Sequence, residues 1–217
     1  MLPLLGSLAS AILFLVLFGW LAEEVFEGEM RQFDLYTRTF VHQFATPSLT
    51  RIMLGFTELG SVGGLSLLFG IAFACFLLAK LRGPSVWLLV GMGGTMILNV
   101  TLKLAFHRAR PEPYFGQRPS SYSFPSGHAM GSFVFYGLIA GILCARISSQ
   151  LRRVMTWSAA AILVTAIGLS RIYLGVHYPT DVIAGYAAGA VWVSTLLFLD
   201  RVELRHPPRN DDESEFA

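Results

Sequence analysis

Charge is scarce in this chain. Asp, Glu, Lys and Arg together supply 14% of its 217 residues, where a soluble domain carries about 25%. So few charges cannot cover a soluble core of this size. The 54% of hydrophobic residues and the mean hydropathy of +0.58 exclude a disordered chain. Cysteine is nearly missing. Cys75 and Cys144 lie far apart inside apolar stretches, which reads as two small core residues and not as a disulfide or a metal pair. There is no basic run or arginine-rich arm, and the net charge is only +2, so nothing points to nucleic acid. No G-x-x-x-x-G-K-[ST] occurs, and a nucleotide site has no support. No repeat of helix-hairpin period stands out.

What the chain does have is long apolar runs. A bilayer-crossing helix needs roughly 17–25 predominantly apolar residues. About six segments qualify: Leu2 to Ala22, Leu59 to Ala79, Gly83 to Leu102, Ala129 to Ala145, Val154 to Ser170 and Val182 to Leu199. The first is read as a retained helix, since no Lys or Arg precedes it and its A-x-A pattern, Ala9 to Ala11, comes too early for a signal peptide. Between the first two, Glu23 to Thr50 carries apolar residues at three- and four-residue steps among charges. That periodicity predicts an amphipathic helix on the membrane surface. The expected fold is therefore all-α: a polytopic membrane bundle of about six transmembrane helices plus one interfacial helix. The 21 glycines suit close helix packing. Residues 1–205 are expected to form a single membrane-embedded domain, and 206–217, acidic after Pro207 and Pro208, a disordered cytoplasmic tail.

Orientation follows from the short connectors. Lys80 and Arg82, then Arg146, Arg152 and Arg153, then Arg201, Arg205 and Arg209 fall on the side of the N-terminus. The other eight basic residues fall opposite, but several belong to polar clusters with another use. Both termini are accordingly placed in the cytoplasm.

Three clusters interrupt the apolar pattern, all on the outer side: Lys103 to Pro111, Phe124 to His128, and Ser170 to Asp181. Ionisable groups at membrane depth cost about 2.5–3.5 kcal/mol each on insertion scales, so they mark function. Lys103 and Arg110 are seven residues apart, which on a helix puts two cations on one face. Arg110 can fork onto two phosphate oxygens while Lys103 supplies a point charge. Ser126 and Gly127 open a helix whose free N–H groups favour an anion. Arg171 is a third cation. Asp181, four residues after His177, is in reach of its imidazole if the stretch turns. Two imidazoles, a carboxylate and a cation pocket outline a phosphoryl-transfer site. Taken singly, a His at a helix end is a cap and an Arg there snorkels to headgroups; three clusters on one face are not explained that way. Glu58, near the outer end of the second span, is read as an interfacial acid, the alternative being contact with the site or the headgroup.

The clusters match K-x6-R-P (Lys103 to Pro111), P-S-G-H (Pro125 to His128) and S-R-x5-H-x3-D (Ser170 to Asp181). In this the chain resembles the type 2 phosphatidic acid phosphatases, a superfamily that also includes bacterial acid phosphatases and vanadium-dependent haloperoxidases. The match covers 103–181. The resemblance implies that His177 is the nucleophile, that Asp181 orients it, that His128 protonates the leaving group, and that Lys103, Arg110, Ser126, Gly127 and Arg171 hold the phosphate. It implies a lipid phosphatase of a bacterial inner membrane, with its site on the periplasmic face, acting through a phosphohistidine on a phosphomonoester or pyrophosphate headgroup such as phosphatidate, phosphatidylglycerophosphate or undecaprenyl pyrophosphate. Neither metal nor cofactor is expected, because the outer clusters hold only Glu112 and Asp181 as acids. Alternatives using the same residues are phosphotransfer to an acceptor other than water, non-catalytic binding or transport of anionic lipid, and vanadate-dependent haloperoxidation; paired histidines argue against mere binding, and six spans against haloperoxidation. The lipid is expected to reach the site sideways, near Phe106, Tyr114, Phe115 and the surface helix from Phe33 to Phe44.

Overall fold

The computed structural model describes residues 2–116 and 119–203. They form α1 (Leu2–Glu27), α2 (Arg31–His42), α3 (Pro47–Leu59), α4 (Val62–Leu78), α5 (Arg82–Phe106), α6 (Gly127–Cys144), α7 (Gln150–Tyr173) and α8 (Pro179–Glu203), with no strand among the described residues. The region expected to be a tail lies outside them. Five helices are long and apolar enough to cross a membrane, and α3 with α4, bent by 52°, makes a sixth if counted as one span. The protein is an integral membrane protein.

The surface segment differs from the single helix expected over Glu23 to Thr50. Helix α1 runs on to Glu27, and Gly28 then turns the chain at φ +85°. Helix α2 follows. A second break comes at Thr46, whose hydroxyl accepts from Leu49 N at 3.2 Å, with Pro47 opening α3. Pro is favoured at the first helical position because its missing N–H is not needed there. Ser61 then caps α4, accepting from Gly64 N at 2.9 Å. Local capping signals thus divide a stretch that hydrophobic periodicity reads as continuous.

Helices α6 and α8 sit centrally. Half of the most apolar window of α8 is buried in the bundle, against 17% for α1. Close approach explains the seam between them: a Cβ on Gly185 would lie 2.7 Å from Ser126 O and 3.0 Å from Ala129 Cβ. The α8 backbone therefore rests on the first turn of α6, where the P-S-G-H residues lie. On other faces of α8, Trp192 Nε1 donates to Gly91 O at 2.9 Å and Tyr186 Oη to Val164 O at 2.7 Å. These polar anchors tie α8 to α5 and α7 inside the bundle.

Since no rotamer removes a Cβ, Gly185→Val forces α6 and α8 apart. The expected cost is about 1–3 kcal/mol, seen as a lower thermal midpoint in detergent together with lost turnover. An unchanged midpoint would contradict the close approach.

Candidate active site

Helix α5 delivers Lys103 in its last turn and then stops. His107 adopts a left-handed conformation, φ +47°, and donates its N–H to Lys103 O at 3.1 Å. The helix thus ends before Arg110, and the two cations do not share a helix face as their spacing suggests. The loop brings them together instead. Lys103 Nζ donates to Tyr122 O at 2.6 Å, Arg110 Nε to Ser121 O at 2.6 Å, and Arg110 Nη2 to Ser121 Oγ at 3.0 Å. Carbonyls of 121 and 122 thereby fix both cations beside the start of α6.

Arg171 ends α7, and one of its Nη atoms donates to Thr57 Oγ1 of α3. Gly175, at φ +77°, lets the chain turn against the loop after α5; a Cβ there would lie 2.6 Å from Tyr114 N. His177 follows, and Asp181 falls in the first turn of α8. His177 Nδ1 lies 3.3 Å from Asp181 Oδ2. Its Nε2 lies 2.9 Å from Arg110 Nη1. A guanidinium only donates, so Nε2 accepts, and the proton of neutral His177 belongs on Nδ1, facing the carboxylate. The lone pair of neutral His177 is therefore on Nε2, beside the cations.

Asp181 is fully buried and satisfied. Its Oδ2 accepts from Ser123 Oγ at 2.5 Å and Tyr178 N at 2.8 Å besides facing His177, and its Oδ1 accepts from Arg108 Nη1 at 2.6 Å. Burial is also the main influence on His177, which is 1% exposed. It pushes the imidazole down to about 3, with Arg110 and Arg171 adding to the effect and Asp181 only partly opposing it. His177 is thus an uncharged base at neutral pH.

Lys103, Arg110, Gly127, His128, Arg171 and His177 all line one cavity of about 590 Å³. Asp181 stands behind His177, outside the cavity wall. Ser126 also lies behind the wall: it is fully buried, its N–H donates to Asp181 O at 2.9 Å, and its hydroxyl caps Ala129 N at 3.5 Å. Of the two residues expected to face an anion, only Gly127 does. Below the cations the cavity turns apolar and runs along α4 and α5 past Leu65, Phe69, Met96, Met92 and Leu89. Leu89 to Lys103 on α5 spans about 21 Å. Val62, Leu89, Met96 and Val100 are exposed on the bundle surface as well as lining the cavity, so it opens sideways between α4 and α5.

That opening is not where sideways access was expected. Phe106 packs on Phe18 and Phe124, His42 stacks on Tyr114 at 3.8 Å, and Phe115 stacks on Tyr173. These rings join α2 and the loop to the bundle, and none of them lines the cavity that holds His177. Glu58 is exposed and accepts from Ser61 Oγ at 3.3 Å, and its charge also acts on Arg171. Sequence reasoning missed Arg108, Ser123, Thr57 and Asp34. Arg108 lies at a position where the K-x6-R-P pattern admits any residue, and Asp34 and Thr57 lie outside all three clusters. No local signal marks them.

The PAP2 superfamily profile matches residues 84–202. Phosphatidylglycerophosphatase B of Bacillus subtilis is 33% identical over 66% of this chain and 71% of its own length. An undecaprenyl-diphosphatase of Sulfolobus acidocaldarius is 34% identical over 42% of this chain and 39% of its own. The crystal structure of a transmembrane PAP2-type phosphatidylglycerolphosphate phosphatase from Bacillus subtilis superposes with a TM-score of 0.81 at 28% identity, covering 92% of this chain and 99% of that one.

A histidine held neutral by the fold weakens the fold in acid, because the unfolded chain takes up the proton that the folded one refuses. For His177 this penalty is absent above the ordinary value of 6.5 and grows as pH falls towards about 3. Thermal midpoints should therefore drop with acidification across that window, and less steeply in His177→Asn. Parallel pH curves for the two proteins would show that His177 is not held neutral.

Proposed function

Because the chain belongs to the PAP2 superfamily and is a membrane lipid phosphatase, we propose that it hydrolyses a long-chain lipid phosphomonoester, of the phosphatidylglycerophosphate type, through a phosphohistidine on His177. The observation that carries this reading is the single cavity that joins a cationic head, Lys103, Arg110 and Arg171 with His177, to an apolar groove long enough for a lipid chain. A soluble phosphate ester needs the head alone. A tail left in hydrocarbon avoids about 0.8 kcal/mol per CH₂ of transfer into water.

In this scheme the Nε2 lone pair of His177 attacks phosphorus in line with the ester oxygen. The N–P bond forms as the P–O bond breaks, and His128 gives its proton to the leaving alkoxide. Lys103, Arg110, Arg171 and the N–H at Gly127 balance the charge on the equatorial oxygens. Asp181 keeps the ring in the tautomer that exposes Nε2 and stabilises the positive charge that develops on it. His128, now neutral, takes a proton from water, whose oxygen attacks the phosphohistidine and releases phosphate. No metal is required: three protein cations perform the neutralisation that divalent ions provide elsewhere, and both Asp181 oxygens are engaged by protein donors. Phosphatidylglycerophosphatase B is favoured as the guide to substrate because the match spans most of both chains. We place the site on the outer face of a bacterial inner membrane with both termini cytoplasmic, since Lys80, Arg82, Arg146, Arg152 and Arg153 lie at or just beyond the ends of α4 to α7 that are opposite Lys103, His128 and Arg171.

The purified protein should release phosphate from phosphatidylglycerophosphate in EDTA and be inhibited by vanadate. His177→Ala should lose several orders of magnitude in rate. Activity that disappears on chelation and returns with Mg²⁺, or phosphate trapped on another residue, would overturn the mechanism.

A second measurement addresses the groove. Gly93 lines it, and a Cβ there meets nothing within 4 Å. Gly93→Phe should fill the groove and raise KM for the lipid about ten-fold or more, while leaving a soluble aryl phosphate nearly unaffected. Equal effects on both substrates would remove the tail from this path.

A further inference from the structure

A chain of alternating charge leads from α2 to the candidate nucleophile. Asp34 on α2 is fully buried. Its carboxylate accepts from Thr180 N at 3.0 Å, Thr180 Oγ1 at 2.8 Å and Arg108 Nη2 at 2.7 Å. The other arm of Arg108, Nη1, donates to Asp181 Oδ1 at 2.6 Å and to Thr180 Oγ1 at 2.8 Å. Arg108 thus bridges two buried carboxylates, one of them the partner of His177, with its guanidinium 4.2 Å from the Tyr178 ring centroid.

Stability alone does not account for this triad. Replacing buried ion networks with apolar residues is often neutral or stabilising. Nor does docking α2 need it. Arg38 on the same helix already donates to Glu112 O at 2.7 Å and Gly175 O at 3.1 Å, and His42 stacks on Tyr114. Besides Thr180 and the Tyr178 ring, Arg108 reaches Asp181, the partner of His177. Without Arg108, Asp181 would be held through Oδ2 alone, by Ser123, Tyr178 N and His177, and its fuller negative charge would favour imidazolium at His177. Arg108 pins one oxygen and offsets part of the charge; Asp34 in turn offsets Arg108.

We propose that Arg108 and Asp34 are positioning residues of the phosphatase reaction: Arg108 sets the orientation and effective charge of Asp181, and Asp34 sets how strongly Arg108 does so, which makes the interfacial helix α2 part of the control of His177. This rests on the reading of His177 as the nucleophile. Burial lowers the Arg108 guanidinium, but Asp181 and Asp34 more than offset it and the net direction is upward, so Arg108 stays a cation. The other charged or titratable groups facing His177 are Arg110 from the loop after α5, Arg171 from α7, and Lys103 and His128, which share its cavity; all of them are unchanged in the variants below.

The test compares wild type, Arg108→Gln, Asp34→Asn and the double variant, measuring kcat, KM and pH profiles on phosphatidylglycerophosphate and on a soluble aryl phosphate, with thermal midpoints alongside. Arg108→Gln should lower kcat about ten-fold or more on both substrates with KM within about two-fold. Its acid limb should move to higher pH, because losing a cation leaves more negative charge beside His177 and favours its protonated form. Asp34→Asn should also lower kcat, but without an upward move of the acid limb, since it removes negative charge. The double variant should be no worse than Arg108→Gln. An unmoved acid limb in Arg108→Gln, additive losses in the double variant, or kcat losses that simply follow the thermal midpoint would overturn the proposal. Should Arg108→Gln not fold, Arg108→Lys serves: it keeps the charge but cannot fork across both carboxylates, so kcat should fall with the acid limb in place, and wild-type kcat would overturn the proposal. Turnover surviving in His177→Ala would instead overturn the reading of the site, and the same assay reads that separately.

Discussion

The burial of Asp181 is the constraint around which this molecule is arranged. A carboxylate out of water at the edge of a bilayer carries a penalty of several kcal/mol unless donors replace its hydration. Four donor groups converge here from two segments: Ser123 and Arg108 from the loop between α5 and α6, and His177 and Tyr178 from the turn before α8. Gathering them requires α8 to begin against the first turn of α6, which Gly185 permits, and Ser126 N to bond Asp181 O. The same convergence places Arg110 against Nε2 of His177 and brings Gly127 and His128 to the same cavity.

The cations are held by different means. Lys103 and Arg110 bind main-chain carbonyls of 121 and 122, and Arg110 also binds Val176 O. Carbonyl oxygens orient a cation without cancelling its charge. Carboxylates would cancel it, and the two buried ones nearest His177, Asp181 and Asp34, both bind Arg108 instead. The division leaves a cationic compartment on one side of His177 and, on the other, two carboxylates that share one guanidinium. Neither a uniform salt-bridge network nor a bare cationic patch would give a neutral imidazole flanked by uncancelled positive charge.

Much of this was legible in the sequence, for identifiable reasons. Spans α5 to α8 are long apolar runs, and the three polar clusters contrast with them; the residues that line the cavity, Lys103, Arg110, Gly127, His128, Arg171 and His177, all came from those clusters. The less legible parts depend on chain separation. Asp34 meets Arg108 across a separation that no periodicity encodes, and Thr57 meets Arg171 across a still longer one. The break between α2 and α3 was written in Thr46 and Pro47 but was overridden by an apolar stripe with helical spacing. The joint helix face expected for Lys103 and Arg110 failed because His107 stops the helix, something spacing arithmetic cannot register. The opening between α4 and α5 was not anticipated, because exposed aromatic residues on α2 look like a lipid path and no spacing marks where the cavity meets the bundle surface.

That gap changes what concentration means for this protein. A cavity that opens sideways into hydrocarbon samples its ligand in two dimensions, so saturation is governed by the mole fraction of the phosphate lipid among its neighbours in the leaflet, and adding more inert bilayer to a fixed amount of that lipid dilutes it as surely as adding solvent does in a test tube. The composition of the surrounding membrane becomes a rate-setting variable, and the width of the cleft between α4 and α5 becomes the aperture through which it acts.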